Sequence, residues 1–386
     1  MKLNKHKWGS VKLSEVCEKT QNVDIRKQSG IFSYIDIGSI NSDAKRVSEV
    51  QMLNWSEASS RARQIIHKGD TLFSTVRVNL ERIAFIDKEI PNAIASTGFT
   101  VIRANKKALP EFLFYSTSSP EFIERLCKLQ KGTAYPAVSD RIVFNEVIPL
   151  PSLAEQKQIA ELFQSIEAAM EQVEGQERNL RTLQKSLVNG LVGKKPVFGD
   201  LLNAKNCTPT TFGEIAECDK KYPEHELEAE RFVGLENIEA DNFQLLGYGL
   251  VANGTTFSKR FCTGDVLFGK RRAYLKKVAV ADFNGICSGD ILVIRAKAKK
   301  MLQGLLPYYI SADAFIQHAV STSAGSLSPR TKWKDLADFE ISIPDIKTQE
   351  KILAILSQFD NTINQLKQQK VTLKNLKQKL LNEILG

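Results

Sequence analysis

Residues 151–193 read PSLAEQKQIAELFQSIEAAMEQVEGQERNLRTLQKSLVNGLVG, and residues 344–386 read PDIKTQEKILAILSQFDNTINQLKQQKVTLKNLKQKLLNEILG. Laid over each other at a constant offset of 193, the two stretches need no gap. Each opens on a proline, with an apolar residue two places on (Leu153, Ile346) and a glutamine five places on (Gln156, Gln349). Apolar residues then recur every seventh place: Ile159, Ile166, Val173, Leu180 and Leu187, matched by Ile352, Phe359, Leu366, Leu373 and Leu380. A second series three places on is mixed, Leu162, Ala169, Gln176 and Leu183 against Ile355, Thr362, Gln369 and Leu376. This is a heptad seam, so each stretch is expected to be a coiled-coil helix of roughly 50 Å, with its five heptad residues as the packing stripe. Gly175 interrupts the first, at about 1 kcal/mol against alanine, and is expected to bend it. Since 386 is twice 193, the whole chain reads as one unit written twice.

The segments before the helices also match. Residues 68–84 read KGDTLFSTVRVNLERIA and residues 263–279 read TGDVLFGKRRAYLKKVA. The Gly-Asp pairs, Gly69-Asp70 and Gly264-Asp265, signal a turn ahead of a β-rich run. Residues 34–40 and 232–238 read as strands, as do STGFTVIRA at 96–104 and SGDILVIRA at 288–296. Helices are expected over 110–129 and 305–320, each followed by a small-residue loop, GTAYP at 132–136 and GSLSP at 325–329. A last strand, 144–149 or 339–344, leads into each long helix. The expected fold class is α+β, with two mixed α/β globules related by a pseudo-twofold and separated by an antiparallel coiled coil. Antiparallel packing is expected from the linker at 194–209, which then crosses only a short gap. The expected segments are 1–150, 151–193, 194–343 and 344–386.

Composition narrows the function. Formal net charge is +9, which suits an anionic partner. Cys17, Cys127, Cys207, Cys218, Cys262 and Cys287 form no C-x-x-C pair and read as buried, reduced thiols of a cytoplasmic protein. No apolar run approaches the roughly 18 residues of a membrane span. Neither a G-x-G-x-x-G nor a P-loop motif is present, and His6, His67, His225 and His318 lack metal-site spacing. Acid-x-Lys pairs such as Asp219-Lys221 are expected by chance in so charged a chain. No active site is therefore expected.

Basic residues say more. Lys259, Arg260, Lys270, Arg271, Arg272, Lys276 and Lys277 gather beside the second Gly-Asp strand, with Tyr274 among them. The first globule carries Arg61, Arg63, Arg77 and Arg82; Arg77 aligns with Arg272, and Asn79 with Tyr274. Guanidinium groups beside amide or aromatic side chains hold phosphates and read base edges. The candidate DNA-binding set is Arg61, Arg63, Arg77, Asn79, Lys270, Arg271, Arg272, Tyr274 and Lys276, with Thr133, Tyr135, Ser326 and Arg330 from the loops.

A proline-x-x-x-x-glutamine-x-x-isoleucine opening a long helix, twice, behind two diverged halves that each bear a Gly-Asp-x-Leu-Phe strand, resembles the specificity subunit of type I restriction-modification enzymes. The resemblance covers essentially the whole chain. It implies that the halves are target-recognition domains, each reading one part of a split asymmetric site in double-stranded DNA. The helices would dock methyltransferase subunits, two in number, and through the complex a restriction/translocase subunit. S-adenosylmethionine would sit on the methyltransferase partner, with no cofactor or metal on this non-enzymatic chain. Two other readings stand beside it. One is a coiled-coil scaffold that binds protein only, which leaves the basic residues unexplained. The other is a self-sufficient nuclease or methyltransferase, which needs a cofactor motif the chain lacks.

Overall fold

The computed structural model describes residues 5–192, 198, 201–202, 206–218 and 229–386. Most of the linker at 194–209, the Asp219-Lys221 pair and His225 lie outside these. Two compact units form: Met1–Glu174 with Gln368–Gly386, and Gly175–Lys367. Each therefore takes one end of both long helices.

The first unit holds an antiparallel three-stranded sheet in the order Phe99–Ile102, Thr71–Ser74, Ile83–Phe85. Its second sheet has the order Gln51–Asn54, Ile31–Ile35, Ala93–Ser96, Ala62–Ile65, with the middle pair parallel. In the second unit, Ile291–Ala296, Val266–Gly269 and Val278–Val280 repeat the first arrangement, with Ala216–Cys218 added at one edge. Gly249–Leu250, Arg231–Val233, Gly285–Cys287 and Lys259–Phe261 repeat the second, again with a parallel middle pair. A strand pair closes each unit, Gly9–Lys12 on Val147–Leu150 and Cys207–Thr211 on Glu340–Pro344. The duplication in sequence is a duplication of topology.

Three local expectations are corrected. The strands expected over 34–40 and 232–238 stop early, at Ile35 and Val233, and pass into single 3-10 turns, Ile37–Ser39 and Leu235–Asn237. Side chains impose the turns, because the Ser39 amide donates to Asp36 Oδ1 at 2.9 Å and the Gly234 amide to Asn237 Oδ1 at 2.9 Å. Each single helix expected after the Val-Ile strand is two: Pro110–Thr117 with Pro120–Leu129, and Leu306–Ser311 with Asp313–Ser321. Pro120 is tolerated only in a first turn, and Ser119 caps that turn by accepting from the Phe122 amide. Of the six cysteines only Cys287 is buried; the others are half-buried, and burial pushes the Cys17 thiol up to about 12.

The long helices, Leu153–Val192 and Ile346–Leu385, run 40 residues each, about 60 Å. Gly175 lies inside the first without ending it. In the first unit Glu167 pairs with Lys377 and Glu174 with Lys370, each at 2.6 Å, so the segments are antiparallel. In the second, Gln184 donates to Asp360 at 2.6 Å. The heptad residues Ile159, Ile166, Val173 and Ile352 are buried; Leu180, Leu187, Phe359, Leu366, Leu373 and Leu380 are half-buried. The series three places on is not the second seam, since Leu183 is 55% exposed and Ile355 and Leu376 are exposed as well. Four places on lies a better-buried row: Phe163, Leu191, Leu356, Ile363 and Ile384. Phe163 joins Leu13, Phe73, Phe112 and Leu126 in one core, and Leu356 joins Phe212, Phe268 and Phe315 in its counterpart. In each unit the ends of both helices thus lay a wide stripe on the globule. Each such side chain is worth about 1.5 to 3 kcal/mol on burial.

Two polar devices, repeated in both units, fix the frame. Fully buried Gln156 accepts from the Leu109 amide at 2.8 Å and donates to the carbonyls of Lys107 at 3.1 Å and Pro151 at 3.0 Å. Gln349 does the same with Leu302 at 2.9 Å, Lys300 at 2.9 Å and Pro344 at 2.9 Å. The proline-to-glutamine spacing is therefore a clamp of the helix start onto the globule. Buried Asp70 receives Arg103 Nε at 2.8 Å and Nη2 at 2.6 Å, and Asp265 receives Arg295 Nε at 2.7 Å. The same carboxylates accept the amides of His67 at 2.8 Å and Cys262 at 2.7 Å. The Gly-Asp turn is pinned to the end of the neighbouring strand, which aims the segment leaving the far end of the Leu-Phe strand.

Candidate nucleic-acid interface

The Leu-Phe strand runs into the same turn in both units. Arg77 and Glu81 flank the 3-10 turn Val78–Leu80, and Arg272 and Lys276 flank Ala273–Leu275. All four have left-handed backbone, φ 50°, 49°, 53° and 50° respectively. Non-glycine residues are uncommon there, and such conformations persist only where surrounding contacts hold them. Those contacts are present. Val78 and Ala273 are buried beneath the turn. The Arg77 amide donates to the Pro136 carbonyl at 2.7 Å and the Arg272 amide to that of Pro329 at 2.8 Å.

Pro136 and Pro329 belong to the small-residue loops, which are closed at their base by reciprocal amide–carbonyl bonds. Lys131 and Ala137 exchange two at 2.9 Å; Ala324 and Arg330 exchange bonds of 3.0 and 2.9 Å. Gly132 and Gly325 turn these loops at φ 101° and 112°, where a side chain would be strained. The tips project, with Tyr135 71% and Leu327 88% exposed. Arg77 lies over the Tyr135 ring at 4.7 Å, and its Nη2 donates to the Ala134 carbonyl at 3.2 Å. Arg272 Nη2 donates to the Leu327 carbonyl at 3.5 Å. Turn and loop form one exposed surface in each unit.

The structure assembles some of the sequence candidates and disperses others. Arg77, Asn79, Thr133 and Tyr135 share the first surface, and Arg272, Tyr274, Ser326 and Arg330 the second, all exposed. Arg61 is exposed, and its carbonyl accepts from the Thr97 amide at 2.9 Å. Arg63 is exposed on its strand and donates Nε to the Ser60 carbonyl at 2.8 Å. Arg82 holds the Ile40 carbonyl at 2.6 Å. In the second unit, Lys259 and Lys277 donate to the carbonyls of Ile291 at 2.7 Å and Leu235 at 2.5 Å. Lys276, expected on DNA, pairs with Asp313 and holds that carboxyl below its usual range. The basic run in sequence is thus not one cationic surface, because alternate residues of a strand-and-turn segment face different ways.

Lys270 and Arg271 are half-buried at the root of the second loop, where the Lys270 amide donates to the Asp290 carbonyl at 3.0 Å. Asp290 was missed by sequence reasoning. Its carboxylate binds Arg330 Nε at 2.6 Å, and Arg271 Nη1 lies 3.6 Å away. The Arg330 bond holds the carboxyl below its ordinary range against the opposing effect of burial. A signal was available, since STG and SGD differ here within otherwise matched segments. Among the described residues no group of three or more His, Cys, Asp or Glu side chains is placed to hold a metal, and no helix is long and apolar enough to cross a membrane.

The family model for the type I restriction modification DNA specificity domain matches residues 5–180 and 247–375. Over 351 residues the chain is 23% identical to the type I restriction enzyme MjaVIII specificity subunit of Methanocaldococcus jannaschii, across 83% of this chain and 79% of that protein. The HindI specificity subunit of Haemophilus influenzae is 28% identical over 125 residues, 31% of this chain. The EcoDI specificity subunit of Escherichia coli is 28% identical over 124 residues, 32% of this chain. The matches span only 27% of the length of each of these two proteins. Among solved structures, a chain from work on complex assembly and conformational transition of the type I R-M system superposes with TM-score 0.62 at 28% identity, covering 97% of both chains. The HsdS subunit from Thermoanaerobacter tengcongensis does so with TM-score 0.53 at 26% identity, covering 97% of this chain and 96% of that one.

Proposed function

Because the chain belongs to the type I restriction-modification DNA specificity family, we propose that each unit reads one part of a split, asymmetric DNA site through its arginine turn and glycine loop. The observation that carries this reading is a constant frame with unlike tips. The two units share the Gln clamp, the Asp–Arg pair, the left-handed arginine and the closed loop. They differ at the tips, Asn79, Ala134 and Tyr135 against Tyr274, Leu327 and Ser328. A two-part reader needs such a frame so that different base edges are met by different side chains from the same approach. The net charge of +9 supplies a sequence-independent attraction to phosphates that weakens with salt.

On this reading the chain is non-catalytic. The long helices offer docking surfaces to methyltransferase subunits, two in number, and those subunits would carry S-adenosylmethionine. A restriction subunit would join through the complex. The test is to express the full chain with its methyltransferase partner and map the modified bases in cellular DNA. A split site with two unlike halves is expected. Arg77→Gly and Arg272→Gly suit the left-handed backbone while removing the side chain. Each is expected to relax one half alone, at about 1 to 3 kcal/mol of discrimination. Marking that ignores sequence, or a site unchanged by both variants, would remove these surfaces from DNA reading.

A further inference from the structure

At the root of the glycine loop the two units differ in three matched places at once. The first carries Val76, Gly98 and Ala137; the second carries Arg271, Asp290 and Arg330. The backbone is alike, with Thr75 donating to the Gly98 carbonyl at 3.0 Å as Lys270 does to that of Asp290 at 3.0 Å. Val76 bridges Ala137 as Arg271 bridges Arg330. A Cβ at Gly98 would stand 2.7 Å from Ile37 Cδ1, and no arginine stands at 76 or 137 to meet a carboxylate there.

The second unit's trio has a defined geometry. Asp290 takes Arg330 side-on, Oδ1 from Nε at 2.6 Å and Oδ2 from Nη2 at 3.2 Å. Arg271 Nη1 lies 3.6 Å from Asp290 Oδ2, and its Nη2 donates to Ser328 Oγ at 3.1 Å. A guanidinium has five N–H donors in a rigid plane. The side-on carboxylate uses Nε and one hydrogen of Nη2, which leaves the end-on edge of Nη1 and Nη2 with two parallel donors. The Arg330 side chain is 48% exposed. Two parallel donors match O6 and N7 of guanine in the major groove. The carboxylate also offsets one of the two positive charges, so the group is better suited to a directional base contact than to a general hold on phosphate.

We propose that Asp290 is a positioning residue that presents Arg330 to a guanine in the half-site read by the second unit, a contact the first unit does not make at its matched place. This rests on the DNA-reading function proposed above. It is tested on the full chain assembled with methyltransferase subunits, with the second unit's half defined as the one relaxed by Arg272→Gly. Arg330→Ala is expected to cut discrimination at one guanine position about 10- to 100-fold, with the other half intact. Asp290→Ala should relax the same position while binding to a duplex of unrelated sequence holds or tightens, since a negative charge is lost; mere damage to the fold would weaken both. With the unaltered protein, 7-deazaguanine placed at each guanine of that half in turn should weaken binding about 10-fold at one of them. A half-site without a G·C pair, no effect of 7-deazaguanine anywhere in it, or an Arg330→Ala complex with the original site would overturn the inference and leave the DNA-reading function standing. A wild-type complex that marks no defined sequence would overturn both.

Discussion

Val76, Gly98 and Ala137 lie at the root of one glycine loop, and Arg271, Asp290 and Arg330 at the root of the other. Beneath these roots the two units are nearly identical in their chemistry. Gln156 and Gln349 make matching sets of three bonds, and Asp70 and Asp265 receive Arg103 and Arg295 at matched places and cap matching turns. The contrast separates two kinds of constraint. A buried polar group with several partners cannot change alone, because each orphaned partner is costly. An exposed residue can change freely, and a half-buried one can change if its neighbours change with it. In the second unit's trio, half-buried Arg271 and Asp290 stand with an exposed Arg330.

The largest effect is expected at the buried ion pairs. Asp70→Ala is expected to destabilise the first unit, and Asp265→Ala the second, by about 3 to 5 kcal/mol each, since the arginine loses its carboxylate. Denaturant unfolding with hydrogen exchange reads this unit by unit. Unequal costs would show that the pairs are not equivalent. The glutamine clamps come next. Gln156→Ala and Gln349→Ala each orphan one amide and two carbonyls, and a loss of about 2 to 4 kcal/mol is expected, again confined to one unit. A loss below about 1 kcal/mol at either would mean that water replaces the side chain.

Gly175 has no counterpart among the matched devices, and it sharpens the comparison of the helices. A Cβ there meets only Arg178 Nη2, at 4.0 Å. Gly175→Ala is therefore expected to stabilise the chain by about 1 kcal/mol through helix propensity, read as a rise in melting temperature. A fall would reveal a backbone role for the glycine. The smallest effect belongs to pH. Asp290 has a depressed carboxyl pKa in the folded chain, so its contribution is complete above the ordinary carboxylate value of about 3.9 and is lost as pH falls through the lower folded value. Asp290→Asn lacks that component, so its melting temperature should fall less steeply with acid than that of the unaltered chain. Identical slopes would show that the pair adds nothing to stability.

What could be read from sequence and what could not divide along a physical line. The duplication, the two long helices, the Gly-Asp turns and the arginine beyond them were legible, because each is a periodic or local pattern set by backbone geometry within a few residues. Pro151 and Gln156 were visible as a spacing, yet their purpose was not, since the glutamine's other partners lie near Leu109, 47 residues away along the chain. Asp70 likewise read as a turn residue until folding brought Arg103, 33 residues on, against it. The buried row four places from the heptad residues was decided by the globule laid against each helix. A 3.6-residue period places rows three and four steps on at neighbouring positions of the same face, and only the opposing surface selects between them. The basic run beside the second Gly-Asp strand was plain in composition, but folding sent Lys259, Lys276 and Lys277 to carbonyls and a carboxylate and left Arg272 exposed. Charge is a property of sequence, whereas the direction a charge faces, and whether a carboxylate such as Asp290 stands behind it, is set by contacts between residues far apart in the chain.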